Sequence, residues 1–309
     1  MSSISDPDAL NEQYGIAGRV IFKEGPGGMT FVEVINAHGR IEVALQGGQL
    51  VNWVPPDGSA VIWLSEQAEF AEGKSIRGGI PICWPWFGPH PREAAFPAHG
   101  FARTFPWRVA AVEESGTDTT RLILNLAQNE VTRRYWTNPC DLSVQISLGT
   151  ALELELVTRN TGTEPMIVGE ALHTYFRVGD VREIAVHGLD ACDYLDKTDG
   201  MKRKRQDGSL RFSGETDRVY LDTVAACLID DPVLNRRIRV GKRGSHSTVV
   251  WNPWQEKSAR MADLGEEGYL HMVCVESANA ADNQVTIVAG AEHRLGVSYA
   301  VESLMDWQP

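Results

Sequence analysis

Asp141-Leu142-Ser143-Val144-Gln145-Ile146-Ser147-Leu148-Gly149-Thr150-Ala151-Leu152-Glu153-Leu154-Glu155-Leu156 alternates apolar and polar residues with a period of two. Leu142, Val144, Ile146 and Leu148 share one face, and Leu152, Leu154 and Leu156 share one face after Gly149-Thr150. Successive strand side chains point to opposite faces, so the stretch predicts a β-hairpin with a Gly-first turn and one buried side. Alternation recurs at Ile41-Val43-Leu45, Leu122-Leu124-Leu126 and Leu295-Val297-Tyr299-Val301, with shorter runs near Val61–Trp63 and Trp107–Val109. Many short strands broken by Gly, Pro and Asn imply an all-β sandwich or barrel.

Helices are expected to be few, short and on the surface. One runs from an Asn129 cap to Trp136 and must stop before Asn138-Pro139, since a residue preceding proline disfavours the α region. A second has Asn252 as cap, Pro253 at the first position, Gln255 as a capping-box partner and Gly265 as terminator. No internal repeat, low-complexity tract or linker divides the chain, so residues 1–309 are expected to form one domain.

Composition excludes several classes. The net charge of −12 opposes nucleic-acid binding, which needs a basic face. The one dense basic run, Lys202-Arg203-Lys204-Arg205, lies between Asp199-Gly200 and Asp207-Gly208 and is expected to be a solvated hairpin tip. No apolar run approaches the roughly 18 residues of a membrane span, and Met1–Asp8 has neither a basic nor an apolar leader region. A cytoplasmic, membrane-free protein acting as a monomer is the expectation. The five cysteines, Cys83, Cys140, Cys192, Cys227 and Cys274, form no CxxC pair and are expected to be reduced thiols.

Ser75-Ile76-Arg77-Gly78-Gly79-Ile80-Pro81-Ile82-Cys83-Trp84-Pro85-Trp86-Phe87-Gly88 fits neither a helix nor a regular strand. Its prolines remove backbone donors and its glycines allow close backbone approach, which suits a shaped loop presenting the Arg77 guanidinium to a site. A buried aromatic plug with Arg77 at its rim is the alternative. Other polar residues stand in apolar surroundings: His99 and Arg103 in His-Gly-Phe-Ala-Arg, His173 in Glu-Ala-Leu-His-Thr-Tyr-Phe, Asp217 in Glu-Thr-Asp-Arg-Val-Tyr, and Glu276 in Met-Val-Cys-Val-Glu-Ser. Either histidine could be a hydrogen-bonded core residue, and Asp217 could pair with Arg218 at the surface. Glu276 at the end of the apolar strand Met272–Val275 must be paired or have a shifted pKa. Trp84, Trp86, Trp251 and Trp254 could be core or could stack on sugars. Walker, HExxH and GxSxG signatures are absent, and Gly25-Pro26-Gly27-Gly28 has no βαβ context.

Six ordered segments together resemble the glucose-6-phosphate 1-epimerases, the hexose-6-phosphate mutarotases of the aldose 1-epimerase superfamily. They are Ile76–Pro81, His99–Arg103, Ala171–Phe176, Glu215–Tyr220, Val250–Trp254 and Cys274–Glu276. The resemblance implies a large galactose-mutarotase-like β-sandwich with no metal or organic cofactor. It further implies His173 and Glu276 as catalytic residues, Arg77, Arg103 and Asp217 as contacts to a hexose 6-phosphate substrate, and His99 as an additional sugar contact.

Those residue types suit the implied chemistry. Exchanging α and β anomers takes a proton from the C1 hydroxyl and gives one to the ring oxygen, after which the opened chain rotates and recloses. Glu276 is the expected base and protonated His173 the expected acid, with guanidinium forks on the phosphate. Two rivals differ in class: a mutarotase for free aldoses with no phosphate clamp, and a non-catalytic sugar-phosphate-binding protein on the same sandwich. A metal-dependent isomerase is disfavoured, for no HxH pair is present.

Overall fold

The computed structural model describes residues 6–304 apart from Asp57 and Thr117; the first five residues of the expected leaderless start lie outside that range. Two eight-stranded antiparallel sheets dominate. One runs, in spatial order, Ala185–His187, Cys227–Asp231, Arg236–Arg243, Glu292–Ser303, Leu152–Asn160, Cys140–Leu148, Thr119–Leu126 and Trp107–Ser115. The other runs Lys202–Arg205, Asp193–Asp196, Thr216–Tyr220, Ser247–Asn252, Met272–Asn279, Glu170–Leu172 and Ile82–Cys83, and Tyr175–Arg177 also pairs with Met272–Asn279. A four-stranded meander, Val20–Glu24 to Gln49–Val54, and the pair Met166–Val168 with Val285–Ile287 complete the strands.

The first sheet matches its sequence pattern. Cys140–Leu148 alternates buried with less buried positions throughout, and its inward residues Val144, Ile146 and Leu148 are fully buried. They join Leu154, Leu156, Leu295, Val297 and Tyr299 in one apolar cluster with Phe176, Tyr220, Val250, Val273 and Val275 of the second sheet. Each such side chain contributes roughly 1.5–3 kcal/mol of burial, and the shared cluster makes the two sheets a sandwich.

Four local expectations change. The hairpin closes with Leu148 opposite Leu152 around the three residues 149–151, and Gly149 is not at positive φ, so the turn is longer than the Gly-first type. Val61–Trp63 makes only isolated bridges. The helix after Pro253 is Trp254–Ser258, ending well before Gly265, and Ser258 Oγ donates to Gly265 O at 2.6 Å; Asn252 Oδ1 still accepts from Trp254 N at 2.9 Å. Lys202–Arg205 is an edge strand, not a tip: Lys202 meets Asp199, Lys204 meets Asp196 and Asp199, and Arg205 meets Asp193. The helix Glu130–Tyr135 forms as expected, with Asn129 and Thr132 in a reciprocal capping box. Pro7–Tyr14, capped by Asp6, is an additional helix. No helix among the described residues is long and apolar enough to cross a membrane, and all five cysteines are free.

Gly100 shows why the segment around His99 and Arg103 tolerates so little change. Its φ is +74°, and a Cβ there would lie 1.9 Å from Trp84 O, the carbonyl that accepts from Phe101 N. Gly100→Ala should therefore cost about 3 kcal/mol or more. A thermal melt within about 2 °C of the wild type would contradict this.

Candidate active site

The site lies on the outer face of the second sheet, and strand register assembles it. Along Met272–Asn279, Val273 and Val275 enter the inter-sheet core while Cys274 and Glu276 point the other way. Glu276 is thus mid-strand, not at the end of a strand closing at Val275. Asp217 pairs with Trp251, Trp251 with Cys274 and Cys274 with Tyr175, giving one row across four strands. The next row runs Leu195, Val219, Val249, Glu276. His173 follows Glu170–Leu172 and is fixed by its backbone N–H on Pro81 O at 3.0 Å.

Ser75–Gly88 walls this face. Gly79 sits at φ +68°, where a Cβ would come within 2.4 Å of Leu50 O; its own N–H donates to Trp63 O and Tyr175 N donates to Gly79 O. Ile82–Cys83 pairs as the sheet's edge strand, so only part of the run is the loop that its sequence suggests. Trp84 and Trp86 are core, Trp254 packs at its margin, and Trp251 faces the cavity. Arg77, His99, Arg103, His173, Asp217 and Glu276 all line one cavity of about 330 Å³. Lys197, Lys257 and Asp263 line it too, and sequence reasoning missed all three.

His173 Nε2 lies 3.3 Å from Glu276 Oε1, with their side chains 10% and 1% exposed. Glu276 Oε2 and His173 Nδ1 are buried with no hydrogen-bond partner among the described residues, an open demand that a ligand could meet. The His173 ring stacks on Tyr175 at 4.9 Å and meets His99 edge-on at 5.8 Å. Burial drives both members of the pair toward neutrality: it holds Glu276 well above the usual carboxylate range, with Lys197 pulling it back, and holds His173 well below the usual imidazole range. Both shifts favour the neutral forms of the pair, whereas the expected starting state has Glu276 ionised and His173 protonated. Burial, then Arg103 and Lys197, pushes His99 down to about 3, so it is a neutral hydrogen-bonding ring.

The cations are set around this pair. Arg103, in the turn Ala102–Thr104, spends Nη2 on Ala98 O at 2.9 Å and leaves Nε buried and unpartnered. Arg77 Nε donates to Asp263 Oδ2 at 3.0 Å and Nη1 to Tyr175 Oη at 3.0 Å. Asp217 pairs with Lys197 at 2.9 Å, not with Arg218, whose Nη1 donates to Gln206. His173, Cys274 and Glu276 offer ligand atoms within 4.8 Å of one another, a set that a soft divalent ion could use. Arg77, Arg103, Lys197 and Lys257 in the same wall oppose a cation there and favour an anion.

Residues 31–300 match the model of the aldose 1-epimerase family. A protein of Escherichia coli K12, provisionally named a glucose-6-phosphate 1-epimerase, is 39% identical over 79% of this chain and 81% of its own length. A Salmonella typhimurium crystal structure described provisionally as a mutarotase superposes with a TM-score of 0.87 at 33% identity, covering 94% of this chain and 96% of that one. A galactose mutarotase related enzyme from Lactobacillus acidophilus shares the fold at 15% identity, with a TM-score of 0.70 over 88% and 97% of the two chains. The galactose-mutarotase-like all-β sandwich expected from the sequence is the fold observed.

Proposed function

The chain belongs to the aldose 1-epimerase family, and from that premise we propose that it interconverts the α and β anomers of a hexose 6-phosphate, glucose 6-phosphate being the first candidate. The observation that carries the phosphate is the cavity wall. In a protein of net charge −12, Arg77, Arg103, Lys197 and Lys257 line the cavity that holds the His173–Glu276 pair; Arg77, Lys197 and Lys257 are paired with carboxylates, and Arg103 has no carboxylate partner among the described residues. Arg77 and Arg103 would hold the phosphate and Asp217 would accept from sugar hydroxyls, while neutral His99 would bond a further hydroxyl.

Ring opening removes one proton from the substrate and returns one, so a pair carrying a single proton suffices. Starting from the burial-favoured state, Glu276 protonates the ring oxygen as His173 takes the C1 hydroxyl proton. The opened chain rotates, and reclosure runs with the roles exchanged. If the proton first crosses the 3.3 Å contact, Glu276 is the base and His173 the acid.

The test is the rate of anomer exchange of glucose 6-phosphate, measured by NMR saturation transfer. The folded protein should accelerate it, and no acceleration would leave a binding protein instead. The pH profile of kcat/KM, with the substrate phosphate's own ionisation divided out, follows from the two shifts. A second proton reaches His173 only well below its ordinary value, and the last leaves Glu276 only well above its own, so kcat/KM should be flat through neutrality and fall on both sides. A single sigmoid rising with pH near the ordinary imidazole value would contradict the shared proton.

A further inference from the structure

We infer that Asp263 is a positioning residue for the anionic end of the substrate, holding the Arg77 guanidinium from the side so that its outer end faces the cavity. This rests on the sugar-phosphate reading of the site. A guanidinium carries five N–H donors in a rigid planar fork. In Arg77 the Nε–H is committed to Asp263 Oδ2 at 3.0 Å, Nη2 lies 2.9 Å from the same oxygen, and Nη1 donates to Tyr175 Oη at 3.0 Å. One N–H on each Nη nitrogen remains. That is the spacing that two phosphate oxygens accept.

Asp263 sits on a fixed wall. The next residue, Leu264, is 2% exposed among Trp63, Tyr175 and Trp251, and its carbonyl accepts from Ser65 Oγ at 3.3 Å. The segment is closed behind it by the bond from Ser258 Oγ to Gly265 O. A carboxylate carried on a segment anchored in this way is placed to brace the guanidinium. Burial works against the charge of Arg77, and Tyr175 and Asp263 outweigh it, so the fork stays ionised.

The sign of one effect decides. Deleting a negative charge beside an anion site would by itself tighten anion binding, whereas loss of the brace loosens it. Titration of the folded wild type and Asp263→Ala, which removes the accepting oxygen as well as the charge, with inorganic phosphate by calorimetry should show about tenfold weaker binding in the variant. Its KM for glucose 6-phosphate should rise in parallel, with kcat within about twofold, since the brace acts on binding and not on the proton pair. Phosphate affinity that is unchanged or tighter in the variant, or a wild type that binds no phosphate, overturns the inference. Should Asp263→Ala not fold, Asp263→Leu, near in shape to the aspartate and equally without an acceptor for Arg77, must weaken phosphate binding; unchanged affinity there overturns it equally. A wild type that binds phosphate but does not accelerate anomer exchange fails the proposed function alone.

Discussion

Glu276→Gln and His173→Asn are each expected to slow anomer exchange of glucose 6-phosphate at saturation by about 10³-fold, within the range that a positioned acid or base supplies. Each variant leaves a pair that cannot both take and give a proton. The losses should not add if the two side chains, 3.3 Å apart, share one proton as proposed, and the double variant should then be scarcely slower than either single one. A variant retaining a tenth of wild-type kcat would remove its residue from the proton path.

Glu276→Gln carries a second outcome with a determined sign. A carboxyl whose folded-state pKa is raised contributes stability that is complete below its unfolded value and is lost as pH climbs through the folded one. Burial raises Glu276, so the wild type weakens toward alkaline pH while a glutamine there stays neutral. The variant should melt above the wild type at neutral pH, by a margin that widens as pH rises. Inactivity together with higher stability separates a lost proton carrier from a lost fold, which inactivity alone does not.

What the sequence discloses follows from which faces meet water. The strands Cys140–Leu148 and Leu152–Asn160 carry a less buried face, so polar residues alternate and the period is visible. Ser247–Asn252 and Met272–Asn279 are buried at every position, one face against the core and the other beneath the cavity, so period two disappears and Glu276 looks like a strand end. Lys197 had no local signal at all. It is brought beside Asp217 because Asp193–Asp196 pairs with Thr216–Tyr220, a pairing across about twenty residues that no short window encodes. Asp263 was hidden for a different reason: Asn252 to Gly265 carries start and stop signals of one longer helix, whereas the helix ends at Ser258 and leaves Asp263 in an irregular segment. The six site residues came from ordered motifs and resemblance; only the three-dimensional fold, strand register for Asp217 and Glu276 and loop placement for the others, shows that they share one cavity.

Arg103→Ala should raise the KM for glucose 6-phosphate about 10²-fold while changing that for glucose less than about threefold, since a charge-assisted bond to phosphate is worth roughly 1.5–3 kcal/mol. Arg103 is the sharper probe of the two arginines. Arg77 is already braced by Asp263 and Tyr175, whereas Arg103 spends one donor on Ala98 O and keeps a buried Nε without a partner. A buried cationic donor with nothing to bond is costly, and an anionic ligand is what would offset that cost. The selectivity ratio, not the KM alone, carries the conclusion: a general loosening of the His99–Arg103 segment would hurt both sugars, because His99 stands beside His173. Equal losses for the two substrates would sink the phosphate clamp at Arg103. A loss confined to the phosphorylated sugar would fix the phosphate at the Arg103 end of the cavity.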